Sequence, residues 1–257
     1  MTEKTEVKKV TKPQVEVKEE KKEEIPRIMI CVPTYRNIDT DVVNALLNDV
    51  DFSGLKVQIL FTKHLSAAEA RNKFIKVCQE NKSRPDYIWF VDSDTLPDKY
   101  SLKRLLSDNK DIVSGLYFRR GWPYPPLIML ENPKVEGRYN FLAEYPQNSL
   151  VECDAIGLGN CLIKMEVFDK VEYPWFAQIG SNTEDVYFCK KAKEKGYKVF
   201  VDTGTKSKHI GEIQIDEETF AQAKRDILLM KKVDSKDEIY GELDMILKKT
   251  PLKKKTS

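Results

Sequence analysis

The strongest constraint on this chain is a series of short apolar runs separated by segments long enough for a helix. Ile28–Val32, Leu55–Phe61, Tyr87–Val91 and the stretch from Asp111 to Phe118 are apolar at nearly every position. Such runs suit strands covered on both faces, as in parallel sheets. Ser66-Ala-Ala-Glu69 has the spacing of a capping box and opens a helix with Ala70, Phe74, Val77 and Cys78 on one face. Asp98 is positioned to cap another helix carrying Leu102, Leu105 and Leu106. The order β-α-β-α-β-α-β predicts an open α/β sheet.

The second half is less regular. Leu127–Leu130 and Arg138–Ala143 read as strands about a turn at Asn132-Pro133, and Leu150–Asp154 as another before the glycine-bearing stretch Gly157-Leu-Gly-Asn-Cys161. A helix starts at Asn182 or Thr183, with acids in its first turn and lysines in its last, and stops at Gly196. Lys198–Val201 returns as a strand. Asp216–Lys232 has the helical period, with Phe220, Ala223, Ile227 and Met230 inward. No internal repeat is present, and residues 26–232 are expected to form one domain.

Composition sets the boundaries. The 43 basic and 41 acidic residues leave a net charge of +2, so no global positive field exists to hold nucleic acid. Residues 1–25 are almost wholly Lys, Glu, Thr and Val, which predicts a disordered charged tail. Residues 233–257 read as a helical, basic extension. Its lysines 248, 249, 253, 254 and 255 suit either solubility or weak contact with an anionic membrane surface. No apolar run approaches the ~20 residues that span a bilayer, and no leader-like stretch opens the chain, so a soluble cytoplasmic protein is expected. Cys31, Cys78, Cys153, Cys161 and Cys189 form no Cys-x-x-Cys pair and read as small core hydrophobes.

Several positions can carry chemistry. Asp92-Ser93-Asp94 follows an apolar strand, where ligands of open α/β sheets bind. Two carboxylates so close repel unless a cation lies between them, and a divalent ion with phosphate oxygens fits that need. The same acids can instead form a turn and cap the next helix. Glu184 and Asp185 open a helix, where acids complement the dipole or, facing a pocket, act as bases. His209 is one of two histidines and is either a ligand or structural. Pro33-Thr34-Tyr35 ends the first strand, where an aromatic can stack on a base. Arg71 is placed to meet phosphate, to buttress the acids or to face solvent. Trp122, Tyr124, Trp175 and Phe176 are candidates for a sugar groove or for the core.

Taken in order, Pro-Thr-Tyr, Ala70-Arg-Asn72 and Asp-Ser-Asp resemble the nucleotide-sugar half of GT-A-fold glycosyltransferases. Gly-x-Gly, Thr183-Glu-Asp185, Lys195-Gly-Tyr-Lys198 and His209-Ile-Gly211 resemble their acceptor half, and are especially similar to the family-2 group with its viral and archaeal relatives. The resemblance covers residues 28–211. It implies a single GT-A (Rossmann-like) domain with a mainly parallel mixed sheet, transferring a sugar from a nucleotide-diphosphate donor to a glycan, protein or lipid-linked acceptor with inversion. It implies Mn²⁺ or Mg²⁺ held by Asp94 and His209, with Asp92 reaching the metal, its bound water or the ribose, and Ser93 beside the donor. It further implies Asp185 as general base, Glu184 assisting acceptor placement, Pro33, Thr34 and Tyr35 at the nucleobase, Arg71 near the nucleotide, and the Gly157–Asn160 backbone near the donor sugar. The Gln-x-x-Arg-Trp motif of processive family-2 enzymes is absent, which argues against a polymerising membrane synthase. A retaining transferase, a nucleotidyltransferase or a non-catalytic glycan-binding module are the alternatives on this fold.

Overall fold

The computed structural model of the chain describes residues 25–180, 182–211 and 214–233. The chain runs through β1 (Arg27–Val32), α1 (Thr40–Asn44, continued as a π-helical turn over Ala45–Asp49), β2 (Lys56–Phe61), α2 (Ala67–Glu80), β3 (Tyr87–Val91), β4 (Thr95–Pro97), α3 (Ser101–Ser107) and β5 (Ile112–Leu116). The second half adds β6 (Ile128–Glu131), β7 (Tyr139–Phe141), β8 (Leu150–Cys153), β9 (Ala155–Ile156), β10 (Asn160–Lys164), α4 (Val167–Lys170), α5 (Glu184–Glu194), β11 (Val199–Ile210), β12 (Gln214–Ile215) and α6 (Glu217–Val233). The two terminal segments expected to flank the domain lie outside the described residues, apart from Ile25 and Val233.

The main sheet has the order β12-β11-β5-β10-β3-β1-β2, and β4 and β8 also pair with β11. β1 lies parallel to both β2 and β3, and β5 parallel to β11. β10 is inserted antiparallel between β3 and β5. A second, three-stranded sheet has the order β7-β6-β9. The result is a mixed α/β sheet flanked by helices. Alternate residues of β3 feed two cores: Ile88 and Phe90 share one with Phe74 and Ile75 of α2 and Phe188 of α5, while Trp89 and Val91 share the other with Val42, Leu46, Leu102 and Leu105. On the first face Phe90, Phe176 and Phe188 pack at ring separations of 5.7 and 4.9 Å and hold α5 against the sheet. All five cysteines are buried and unbridged. Among the described residues, no helix is long and apolar enough to cross a membrane.

The capping box at Ser66 and Glu69 forms as the sequence predicts, and Gly196, at φ +88°, ends α5. Three differences matter. The buried face of α2 is Ala70, Arg71, Phe74, Ile75 and Cys78, while Val77 faces outward at 40% exposure. β10 begins directly after Gly159, where the sequence shows only a glycine-bearing stretch; its first residue, Asn160, is buried and satisfied by Trp89 Nε1 at 2.8 Å and Ser207 Oγ at 2.7 Å. β11 does not stop at Val201 but runs to Ile210, so His209 lies within a strand, opposite Thr95 and Ile215. Its inward side beyond Val201 is Thr203, Thr205 and Ser207, polar residues that carry no apolar period. In α6, Phe220, Ala223 and Ile227 are buried as expected, and the side chain of Met230 lies outside the described residues.

Candidate functional site

β1 and β3 run parallel, so the residues that follow them, Pro33 and Asp92, emerge at the same carboxyl edge. The chain does not enter a helix after Asp92. Thr95 N donates to Asp92 O at 3.1 Å, and the tight turn leads into β4. The helix-capping alternative for these acids is thereby overturned. Because β4 pairs with β11 at Thr95–His209, the turn brings Asp94 to the histidine.

The first group of residues surrounds Arg71. Its guanidinium is 1% exposed and lies 2.7 Å from Asp92 Oδ1, 2.6 Å from Glu184 Oε1 and 3.7 Å from Asp185 Oδ1. Of the three roles open to Arg71 from sequence, buttressing the acids is the one this geometry displays. Burial opposes its charge, but Asp92, Asp185 and Glu184 prevail and raise its pKa. A buried cation of this kind needs several charged partners to offset desolvation. Its neighbour Asn72 clamps the Trp175–Phe176 backbone, accepting from both amides at 3.1 and 3.2 Å and donating to the Phe176 carbonyl at 2.6 Å.

Asp185 is the least satisfied acid. Its Oδ1 is buried without a hydrogen bond, and its Oδ2 accepts from Leu158 N at 3.4 Å. Burial, with Glu184 and Asp92 adding to it against the pull of Arg71, pushes the carboxyl up to about 7. Burial also raises Asp92 above the usual range despite Arg71.

The second group is Asp94, His209 and Arg120. Arg120 Nη1 lies 2.7 Å from Asp94 Oδ2, and His209 Nε2 lies 3.4 Å from Asp94 Oδ1. Burial pushes Asp94 upward, but His209 and Arg120 prevail and hold it below the ordinary value. His209 Nδ1 lies 2.8 Å from the Phe118 carbonyl, a contact only an N–H can make. Nε2 is therefore the ring nitrogen turned toward Asp94, attracting the carboxylate when it carries a proton and offering a lone pair to a cation in the neutral ring. A backbone-anchored imidazole is the usual form of a histidine metal ligand. Asp94 and His209 thus fit a divalent ion as two N/O donors. Among the described residues no three His, Cys, Asp or Glu side chains gather as a metal cluster. Asp92, expected to join them, turns to Arg71 instead.

The glycines have an internal cause. A Cβ on Gly157 would lie 2.2 Å from the Tyr117 hydroxyl, and one on Gly159 would lie 2.7 Å from Thr95 Oγ1 and 3.0 Å from Asp92 Oδ2. Tyr117 accepts from Gly159 N at 2.7 Å and meets the His209 ring edge-on at 5.5 Å. At the β1 end, Thr34 is turned inward: its amide donates to Thr62 Oγ1 at 3.1 Å and its hydroxyl to the Val32 carbonyl at 3.3 Å. Tyr35 is 58% exposed, with His64 against its edge. The Ser93 carbonyl accepts from Asp39 N at 2.9 Å. Trp175 and Phe176 are buried in the core, the second of the two roles open to them from sequence, whereas Trp122 is exposed. Tyr117, Thr95 and the Arg120–Asp94 pair were not legible as site elements; Tyr117 reads as one more apolar strand residue.

No protein-family model and no curated protein matches the chain. Among solved structures, A197 from STIV aligns over 76% of this chain and 92% of its own, at 19% identity and a TM-score of 0.52. S. aureus TarS 1-349 in complex with UDP-GlcNAc aligns over 86% of this chain and 70% of its own (17% identity, TM-score 0.41). GalNAc-T7 with UDP, GalNAc and Mn²⁺ aligns over 79% of this chain and 48% of its own (10% identity, TM-score 0.45). At these identities the likeness is one of fold: the chain shares with A197 an α/β architecture.

Proposed function

We propose that this chain is a metal-dependent glycosyltransferase that moves a sugar from a nucleoside-diphosphate sugar to an acceptor hydroxyl with inversion. The observation that carries the reading is the pairing, at one sheet edge, of an N/O donor set (Asp94 and His209) with a half-buried carboxylate, Asp185, whose buried Oδ1 is unsatisfied. Asp94 and His209 would hold Mn²⁺ or Mg²⁺, which when bound offsets the negative charge of a departing diphosphate. Tyr35 offers an exposed ring to a nucleobase, bordered by Pro33 and Thr34. Ser93, in the turn between the two acids, and the Gly157 backbone lie on the donor-sugar side.

Asp185 takes the proton of the acceptor hydroxyl. That oxygen then bonds to the anomeric carbon as the bond to the diphosphate breaks, and the electron pair leaves with the diphosphate. A carboxyl pushed up to about 7 accepts a proton near neutrality far more readily than an ordinary aspartate. Glu184, held at 2.6 Å by Arg71, orients the acceptor rather than taking a proton. Arg71 acts through the acids that it fixes.

Calorimetry with a panel of nucleoside diphosphates, with and without Mn²⁺, tests the donor half. Binding that requires the metal is the expected result; absent or metal-independent binding overturns it. Determination of the product anomer tests inversion.

A further inference from the structure

The two acids of the Asp-Ser-Asp turn are neutralised in different ways. Asp92 has a permanent partner in Arg71, which is 1% exposed and locked by three carboxylates. Asp94 has Arg120, whose side chain is 56% exposed. An ion pair with an exposed guanidinium holds weakly and exchanges readily.

The backbone on either side of Arg120 is hydrogen-bonded, and its side chain stands largely in solvent. Phe118 bridges Pro126, Arg119 N donates to Pro125 O at 2.9 Å, and Tyr124 N donates to Gly121 O at 2.8 Å. These bonds, with Pro123 and Pro125, make a closed arm standing beside the acids. Its root is Phe118, whose carbonyl receives the His209 Nδ1–H. A guanidinium anchored on that arm can leave Asp94 by side-chain rotation alone and still point into the same space.

We propose that Arg120 is an exchangeable counter-charge of the donor site: it stands on Asp94 until a divalent cation takes that carboxylate, and then binds the diphosphate. Two consequences follow from charge alone. Arg120 competes with the metal when no diphosphate is present, and it cooperates with the metal when one is. A guanidinium forks onto phosphate oxygens as well as it does onto a carboxylate, so the exchange keeps its hydrogen bonds. This assignment rests on the metal- and diphosphate-binding reading of the site.

The test is a set of binding measurements on the full chain, free of turnover. Mn²⁺ alone is titrated by electron paramagnetic resonance, and UDP or inorganic pyrophosphate in saturating Mn²⁺ by calorimetry, for wild type, Arg120→Ala and Arg120→Lys. Circular dichroism checks that each is folded. Arg120→Ala is expected to bind Mn²⁺ several-fold more tightly than wild type and to bind the diphosphate probes about ten-fold more weakly. Arg120→Lys, keeping the charge, should stay near wild type for Mn²⁺ and fall between the two for diphosphate. If wild type binds both ligands but Arg120→Ala matches it within two-fold on each, or loses Mn²⁺ affinity, Arg120 has no such role and the donor reading stands. If wild type binds neither Mn²⁺ nor the diphosphates, both fall together.

Discussion

His209 presents Nε2 to Asp94 Oδ1 at 3.4 Å while its Nδ1–H is committed to the Phe118 carbonyl at 2.8 Å. The carbonyl contact leaves Nε2 as the ring atom that faces the carboxylate. His209→Gln is expected to lower Mn²⁺ affinity by ~10-fold or more, with little change in melting temperature, since the ring is not part of the main core. Titration of free Mn²⁺ checks this; unchanged affinity removes His209 from the metal site.

Asp185→Asn should reduce transfer by roughly 10²–10⁴-fold, the range of general-base contributions, while nucleotide binding with Mn²⁺ stays intact. Steady-state rates and calorimetry on the same preparation separate the two. Retained turnover would exclude Asp185 as base.

The raised pKa of Asp185 also predicts pH profiles. The base must be ionised, so the transfer rate rises with pH through about 7 and then levels off. Stability runs the other way. The folded value lies above the ordinary one of 3.8, so the folded chain binds this proton more tightly. The stabilising contribution is complete below about 4 and is lost as pH rises through about 7. Asp185→Asn should therefore be more stable than wild type above pH ~7, by at most about 4 kcal/mol. Denaturation series at pH 5 and 8.5 measure the difference; an equal effect at both would contradict it.

Arg71→Met leaves three acids facing one another without their buried cation. A loss of ~3–5 kcal/mol is expected, as for other broken buried ion pairs. Adding Glu184→Gln should restore part of it, because one uncompensated charge is removed. Urea midpoints for the single and double variants decide this, and simple additivity would refute the linkage.

Gly157→Ala places a methyl where the Tyr117 hydroxyl stands, 2.2 Å away. Overpacking of this kind costs ~1–3 kcal/mol. In a double-mutant cycle with Tyr117→Ala the two effects should be clearly less than additive. Additive losses would mean that the glycine is required for another reason.

Much of this is written locally in the chain. Ile28–Val32 and Tyr87–Val91 announce themselves as buried strands because every position is apolar, and the Ser66–Glu69 box marks the start of α2 by spacing alone. β11 beyond Val201 does not, since threonines and a serine fill its inward positions and are satisfied by neighbours that lie far off in sequence. β10 is short, and its central place comes from its partners β3 and β5 rather than from its own five residues. The acids at 92, 94 and 185 stand out by type and context. Their division into two groups does not, because it depends on Arg71 being buried, and a long cationic side chain is ordinarily solvated. Trp175 and Phe176 leave groove and core equally open by residue type, and Asn72, which holds their backbone to α2, decides it.

Residues 71 and 72 are adjacent on α2 yet serve different segments, one gripping the acids and the other the backbone at 175–176. The helix is therefore phase-locked. One residue inserted between Ser66 and Arg71 turns everything beyond it by ~100° and releases both grips at once. Length variation in this protein is confined by that lock: the first turns of α2 admit no change in count.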